Sequence, residues 1–270
     1  MSANPPSALK LFDLSGKVAV VTGGSRGLGR VVATGYAQAG ADVVVASRKL
    51  DACEAVADGI RKLGCRALPV AYHAGHWEDA ERLTDAAYAE FGHVDILVCN
   101  AGSAPAYPSI TEISEELFDK TIAINLKGAF RLAALVGTRM REAGSGSIIF
   151  VSSVGSWSPT PRDLIYGAAK AGLNALTHGL ATTLGPQVRV NAVLPGPFRT
   201  DITKSWDMEA FERAAVDAYA LGRVGEPGEI LGACLYLASD ASSYTTSVLL
   251  NVDGGPRSEV DPSVLAKGAK

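Results

Sequence analysis

Lys17-Val-Ala-Val-Val-Thr22, running into Gly23-Gly24-Ser25-Arg26-Gly27-Leu28-Gly29, is the stretch on which the fold turns. A β-branched apolar run of this kind reads as a strand buried on both faces. It breaks into a glycine-rich loop, after which the apolar spacing becomes that of a helix over Leu28–Ala39. Strand, glycine loop and helix in direct succession open a βαβ unit. Gly23, Gly27 and Gly29 permit a tight turn and let backbone N–H groups approach a pyrophosphate at the helix N-terminus.

The same alternation continues outward. Further strands are expected at Asp42–Ala46, Ala67–Ala71, Asp95–Cys99, Ser147–Val151, Val188–Val193 and Val248–Val252. Helices are expected at Leu50–Leu63, Trp77–Phe91, Leu164–Leu184, Met208–Tyr219 and Glu226–Ala238. A long helix is expected from Ser114 to Met140, with Ser114 as N-cap. This order predicts an α/β fold: a Rossmann-like, doubly wound parallel sheet of about seven strands in a single domain, with helices on both faces. The domain is expected over residues 14–255, with a flexible arm at 1–13, a substrate lid near 202–221 and a C-terminal tail at 256–270.

Composition narrows the function classes. The 270 residues are 47% hydrophobic and 20% charged, a globular composition. A net charge of −3 lacks the positive excess that phosphate neutralisation needs, which argues against nucleic acid. No apolar run reaches membrane-span length, and the first ten residues lack the apolar segment of a signal peptide. Cys53, Cys65, Cys99 and Cys234 are scattered without a CxxC pair, so thiols in a reducing, cytoplasmic compartment are expected rather than a metal site.

The loop spacing resembles the TGxxxGxG motif of the short-chain dehydrogenase/reductase family, and other segments extend the likeness. Asn100-Ala101-Gly102 follows the fourth strand as the family's NAG motif does. Tyr166-Gly-Ala-Ala-Lys170 fits YxxxK, with Ser153 standing 13 residues earlier. Asn191 to Gly196 fits NxxxPG, and Asp253-Gly254-Gly255 fits the C-terminal DGG. The resemblance spans about Leu14 to Gly255. It implies an oxidoreductase that moves a hydride between a nicotinamide and a carbonyl or alcohol.

The second strand decides which nicotinamide is expected. In such folds an acidic residue there binds the ribose 2′-hydroxyl of NAD, whereas an Arg accommodates the 2′-phosphate of NADP. Here Ser47 stands in place of the acid, Arg48 follows, and Arg26 adds a cation from the glycine loop. NADP(H) is therefore expected, held by Gly23, Ser25, Arg26, Gly27, Leu28, Gly29, Ser47, Arg48, Asn100, Ala101, Gly102, Tyr166 and Lys170. By resemblance, Pro195, Gly196, Phe198 and Thr200 line the nicotinamide.

Four residues apart on a helix, Tyr166 and Lys170 share a face. An ammonium beside a phenol favours the phenolate, which suits Tyr166 to give or take a proton. Ser153 is expected to hydrogen-bond the substrate oxygen. It is preferred over Ser152 by the family spacing, since neighbouring strand residues face opposite ways. Asn125 falls where the family has its fourth catalytic residue.

His73 departs from the family, which generally has Asp-Val near the adenine; it reads as a hydrogen-bond donor there or as a surface imidazole. Ser247 replaces a common Gly, and Ala181-Thr182-Thr183 replaces an Ala-Arg-Glu-like run. Trp157 and Trp206, with Tyr107, Pro159, Met208 and Phe211, suggest a pocket for a hydrophobic or cyclic carbonyl or alcohol. The rivals are a 3-oxoacyl-carrier-protein reductase and, from another class, a non-catalytic NADP(H)-binding sensor or scaffold. A homo-oligomer, tetramer or dimer, is implied by the resemblance.

Overall fold

In the computed structural model, which describes residues 7–200 and 208–256, seven strands lie side by side and parallel. They are β1 (Val18–Thr22), β2 (Asp42–Ser47), β3 (Ala67–Ala71), β4 (Ile96–Cys99), β5 (Gly146–Val151), β6 (Val188–Pro195) and β7 (Leu249–Val252). Their order is β3-β2-β1-β4-β5-β6-β7, the Rossmann-like arrangement expected from the sequence. Ala19 pairs with Val43 on one side and Ile96 on the other. Strand order reverses between β1 and β4, so the chain leaving those strands turns to opposite faces and opens a crevice at their C-terminal ends.

Every residue of β1 is buried because the sheet is covered on both sides. Val18 and Val20 point into one core with Val44, Leu97 and Ile148, beneath α3 (Trp77–Phe91), α5 (Gly128–Ala143) and α6 (Leu164–Leu184). Ala19 and Val21 point the other way with Val43, Val45 and Ile96, beneath α1 (Gly27–Gln38), α2 (Leu50–Arg61) and α8 (Leu231–Ala238). The buried Tyr36 hydroxyl donates to the Cys234 carbonyl at 2.9 Å, tying α1 to α8.

The long helix expected from Ser114 to Met140 is divided. Ser114 is its N-cap, with Oγ accepting from the Leu117 N–H at 3.1 Å. After α4 (Glu115–Ile122) comes one π-type turn, Ala123–Lys127, before α5 continues. Two contacts account for the break. Asn125 Nδ2 donates to the Thr121 carbonyl at 2.9 Å and to the Ser103 carbonyl at 2.8 Å. At Gly128 the backbone passes so near the loop after β3 that a Cβ would lie 1.6 Å from the Ala74 carbonyl oxygen. Widened turns of this kind arise where a helix is held by groups outside its own ladder.

The helix expected over Glu226–Ala238 also starts later. Pro227–Ile230 form a 3-10 turn closed by a capping box between Glu226 and Glu229, and α8 follows. Met208–Ala218 form α7, and Tyr219 bridges to Pro256. Within the expected N-terminal arm, Ala8–Phe12 form a 3-10 turn, and Leu14 is the first buried residue described. Among the described residues no helix is long and apolar enough to cross a membrane.

Candidate active site

The crevice is organised from beneath by Thr22, a residue that the sequence reading passed over. Its hydroxyl donates to the Val98 carbonyl at 3.2 Å and accepts from the N–H groups of Asn100 and Ala101 at 3.0 and 3.1 Å. Asn100 Nδ2 returns a bond to the Thr22 carbonyl at 3.0 Å and reaches the Gly23 carbonyl at 3.4 Å. The glycine loop after β1 and the Asn100-Ala101-Gly102 segment after β4 are thereby locked together.

The loop itself fits a dinucleotide. A Cβ at Gly29 would sit 2.3 Å from the Gly23 carbonyl oxygen, so only glycine lets the first turn of α1 close over the loop. Gly23 and Gly27 have φ of 65° and 53°, the left-handed region that glycine adopts without strain. Arg26 is the N-cap of α1, and Leu28 follows in its first turn. Backbone donors at a helix start suit a pyrophosphate. Thr200 lies against this loop, its Cβ 3.8 Å from the position a Gly27 Cβ would take.

At the end of β2 the Ser47 hydroxyl donates to Ser25 Oγ at 2.8 Å and lies 3.1 Å from Cys53 Sγ. Arg48 and Arg26 are both exposed, and among the described residues neither is paired with a carboxylate.

Ser153, Tyr166 and Lys170 come together at the mouth of β5. The Tyr166 phenol lies within reach of the Ser153 hydroxyl, which lowers its value. Ser153 Oγ also accepts from the Gly155 N–H at 3.1 Å. Ser152 faces away, its hydroxyl donating to the Lys170 carbonyl at 3.1 Å and to Asn174 Oδ1 at 2.8 Å. Lys170 is 3% exposed. Its ammonium donates to the Val151 carbonyl at 2.8 Å and lies 5.5 Å from the centre of the Tyr166 ring. Asn125 is adjacent: a Cβ on Gly102 would sit 3.0 Å from its Oδ1 and 3.4 Å from Lys170 Nζ. Asn125 Oδ1 accepts from the Ser103 N–H at 3.0 Å.

The electrostatics differ from the simple expectation. Burial pushes the Tyr166 phenol above its ordinary value, the Ser153 hydroxyl pulls it down, and the Asp163 carboxylate adds to the rise. Burial lowers Lys170 to about 8, with Cys99 acting in the opposite direction. The ammonium lies 5.5 Å from the ring centre, and burial dominates at the phenol, so the expected fall in the tyrosine value is not seen.

The structure places the remaining expected contacts as follows. Phe198 is buried against Gly225, where a Cβ would lie 2.8 Å from its ring, so only its backbone can face a nicotinamide. Tyr107 is committed to the start of α6, its hydroxyl accepting from the Leu164 N–H at 2.9 Å. Trp157 is 60% exposed beside Ser153. Trp206 and the lid residues 202–207 lie outside the described residues. Pro195 ends β6, and the Gly196 N–H donates to the Val252 carbonyl at 3.0 Å.

A family model described as enoyl-(acyl carrier protein) reductase matches residues 23–256. L-rhamnose 1-dehydrogenase (NAD(P)(+)) of Azotobacter vinelandii is 40% identical over 247 residues, covering 88% of this chain and 96% of the relative. Dehydrogenase/reductase SDR family member 4 of Homo sapiens is 35% identical, covering 92% and 90%. Among solved structures, a 7α-hydroxysteroid dehydrogenase complexed with NADH and 7-oxo glycochenodeoxycholic acid superposes with a TM-score of 0.88. Its identity is 32%, and the match covers 93% of this chain and 98% of that one.

Proposed function

Because the chain belongs to the short-chain dehydrogenase/reductase family and is an oxidoreductase of alcohol or carbonyl groups, we propose that it uses NADP(H), with Tyr166 as general acid and base. The observation that carries this reading is the convergence of Ser153, Tyr166 and the buried Lys170, whose ammonium lies 5.5 Å from the Tyr166 ring, at the same strand ends as the glycine loop. When bound, the nicotinamide supplies or accepts the hydride. Ser153 and Tyr166 hold the substrate oxygen between two hydroxyls, and Tyr166 gives its proton to that oxygen in reduction or takes it in oxidation. Lys170 and Asn125 line the floor below Tyr166. The preference for NADP rests on Arg26, Arg48 and the missing acid at Ser47.

The substrate is a hydrophobic or cyclic ketone or alcohol. Trp157, Pro159 and Leu164 put apolar surface beside Ser153, and the steroid ligand of the similar structure is of that kind. A carrier-protein substrate is disfavoured, because Arg139 is paired with Asp85 at 2.7 Å and Arg141 reaches the Thr183 carbonyl. The working form is a cytoplasmic homo-oligomer.

A panel of cyclic ketones, linear ketones and sugars, followed by NADPH oxidation and in reverse by NADP+ reduction, tests the reading. Turnover should favour the cyclic ketones and vanish in Tyr166→Phe, while that variant still binds NADPH. A chain that binds NADPH yet turns over nothing would be a sensor, and preference for sugars would move the substrate class toward that of the rhamnose dehydrogenase.

A further inference from the structure

His73 belongs to none of the roles above, yet the sheet brings it to the rim of the cofactor crevice. Ser47 pairs with Ala71, and the Tyr72 N–H donates to the Ser47 carbonyl at 2.9 Å. Arg48 and His73 therefore leave adjacent strand ends side by side, close enough for the guanidinium to act on the imidazole. The ring is oriented: Nδ1 accepts from the Gly75 N–H at 3.2 Å, which places the proton on Nε2. His76 stacks on it at 4.1 Å between centroids. The His73 N–H donates to Asp79 Oδ2 at 2.8 Å, anchoring the backbone beneath.

We propose that His73 is a specificity residue for the 2′-phosphate of NADP, presenting Nε2–H beside Arg48 and taking up a proton at Nδ1, with release of the Gly75 N–H bond, when the phosphate binds. This rests on the NADP reading above. A guanidinium and an oriented N–H together favour an anion.

The charged surroundings give the sign. Desolvation lowers the imidazole below its ordinary value, and His76, Arg48 and Lys120 lower it further, whereas Asp79 raises it. The neutral ring therefore predominates near pH 7 before binding. A phosphate placed against it reverses the balance, so binding draws a proton onto His73 and NADP affinity falls as pH rises. The phosphate has its own proton equilibrium near pH ~6 and releases protons on meeting cations, in every variant alike. Only the difference between wild type and variant reports on His73.

Calorimetric titration of NADP+ and NAD+ in two buffers of different ionisation enthalpy measures the protons exchanged. The expected result is weaker NADP+ binding in His73→Asn by about tenfold at pH 6, shrinking toward none at pH 8.5, with NAD+ unchanged throughout. Net proton uptake should drop in His73→Asn and persist in His76→Asn. Unchanged NAD+ binding also reports that the variant is folded. Equal loss of NADP+ and NAD+ at both pH values would make His73 an adenine contact and overturn the proposal. If wild type binds NAD+ more tightly than NADP+, the cofactor reading itself fails, a result visible without any variant.

Discussion

Ser152 and Ser153 are neighbours in the chain with opposite tasks: the first is bonded to Lys170 and Asn174 inside the protein, the second faces Tyr166 in the crevice and accepts from the Gly155 N–H. The end of β5 sets this division, since successive side chains leave a strand on opposite faces.

The two alanine variants should therefore fail differently. Ser153→Ala is expected to lower kcat by about a hundredfold while leaving the unfolding midpoint within error. Ser152→Ala leaves Asn174 Oδ1 without its buried donor and should cost about 1–3 kcal/mol of stability. Urea unfolding alongside steady-state kinetics separates them. Equal kinetic losses would remove the distinction.

Lys170 offers a pH test. Its folded value of about 8 lies below the ordinary 10.5. Below pH 8 both folded and unfolded states carry the proton, and the burial penalty is fully present. Between about 8 and 10.5 only the unfolded state holds it, so this group's contribution to stability rises with pH. Cys99 and Cys234, pushed up to about 12 by burial, act the other way. The comparison is thus wild type against Lys170→Met. The variant should be the more stable at pH 7, and its advantage should narrow by about 1–3 kcal/mol toward pH 10. A constant gap in denaturant titrations at pH 7, 8.5 and 10 would mean that Lys170 is not depressed.

Arg48→Asp should reverse the cofactor balance. Removing a guanidinium and placing a carboxylate at the 2′ position is expected to raise the KM for NADP+ by about 10²-fold and to change that for NAD+ far less. Equal losses with both would sink the assignment of Arg48.

Gly128→Ala tests the join between α5 and the loop after β3. The added methyl would meet the Ala74 carbonyl at 1.6 Å, a distance no rotamer relieves. A loss of about 3 kcal/mol or more is expected, or failure to accumulate as folded protein. A thermal melt like that of wild type would show that the two segments separate easily.

What was legible in the sequence was whatever depends on period and local chemistry. The runs at β1, β2 and β3, the capping of α4 by Ser114 and the extent of α3 and α6 follow from apolar spacing and cap residues. The serine of the pair that faces Tyr166 was legible through its distance from the tyrosine. The π-type turn at Asn125 was not, because its cause lies in Ala74 and Ser103, both remote in sequence. Thr22 was hidden for a similar reason: its partners Val98, Asn100 and Ala101 meet it only once β1 and β4 are paired. The packing of the Phe198 ring on Gly225 was not legible either, because the two meet only in the folded chain.

The Thr22 hydroxyl has a thermodynamic consequence. One side chain, bonded three ways, fixes the glycine loop and the Asn100 segment to the same point of the sheet. The entropy of ordering both loops is therefore lost during folding rather than during binding. A dinucleotide arriving at this crevice meets walls already in place, and its own contacts can go into affinity.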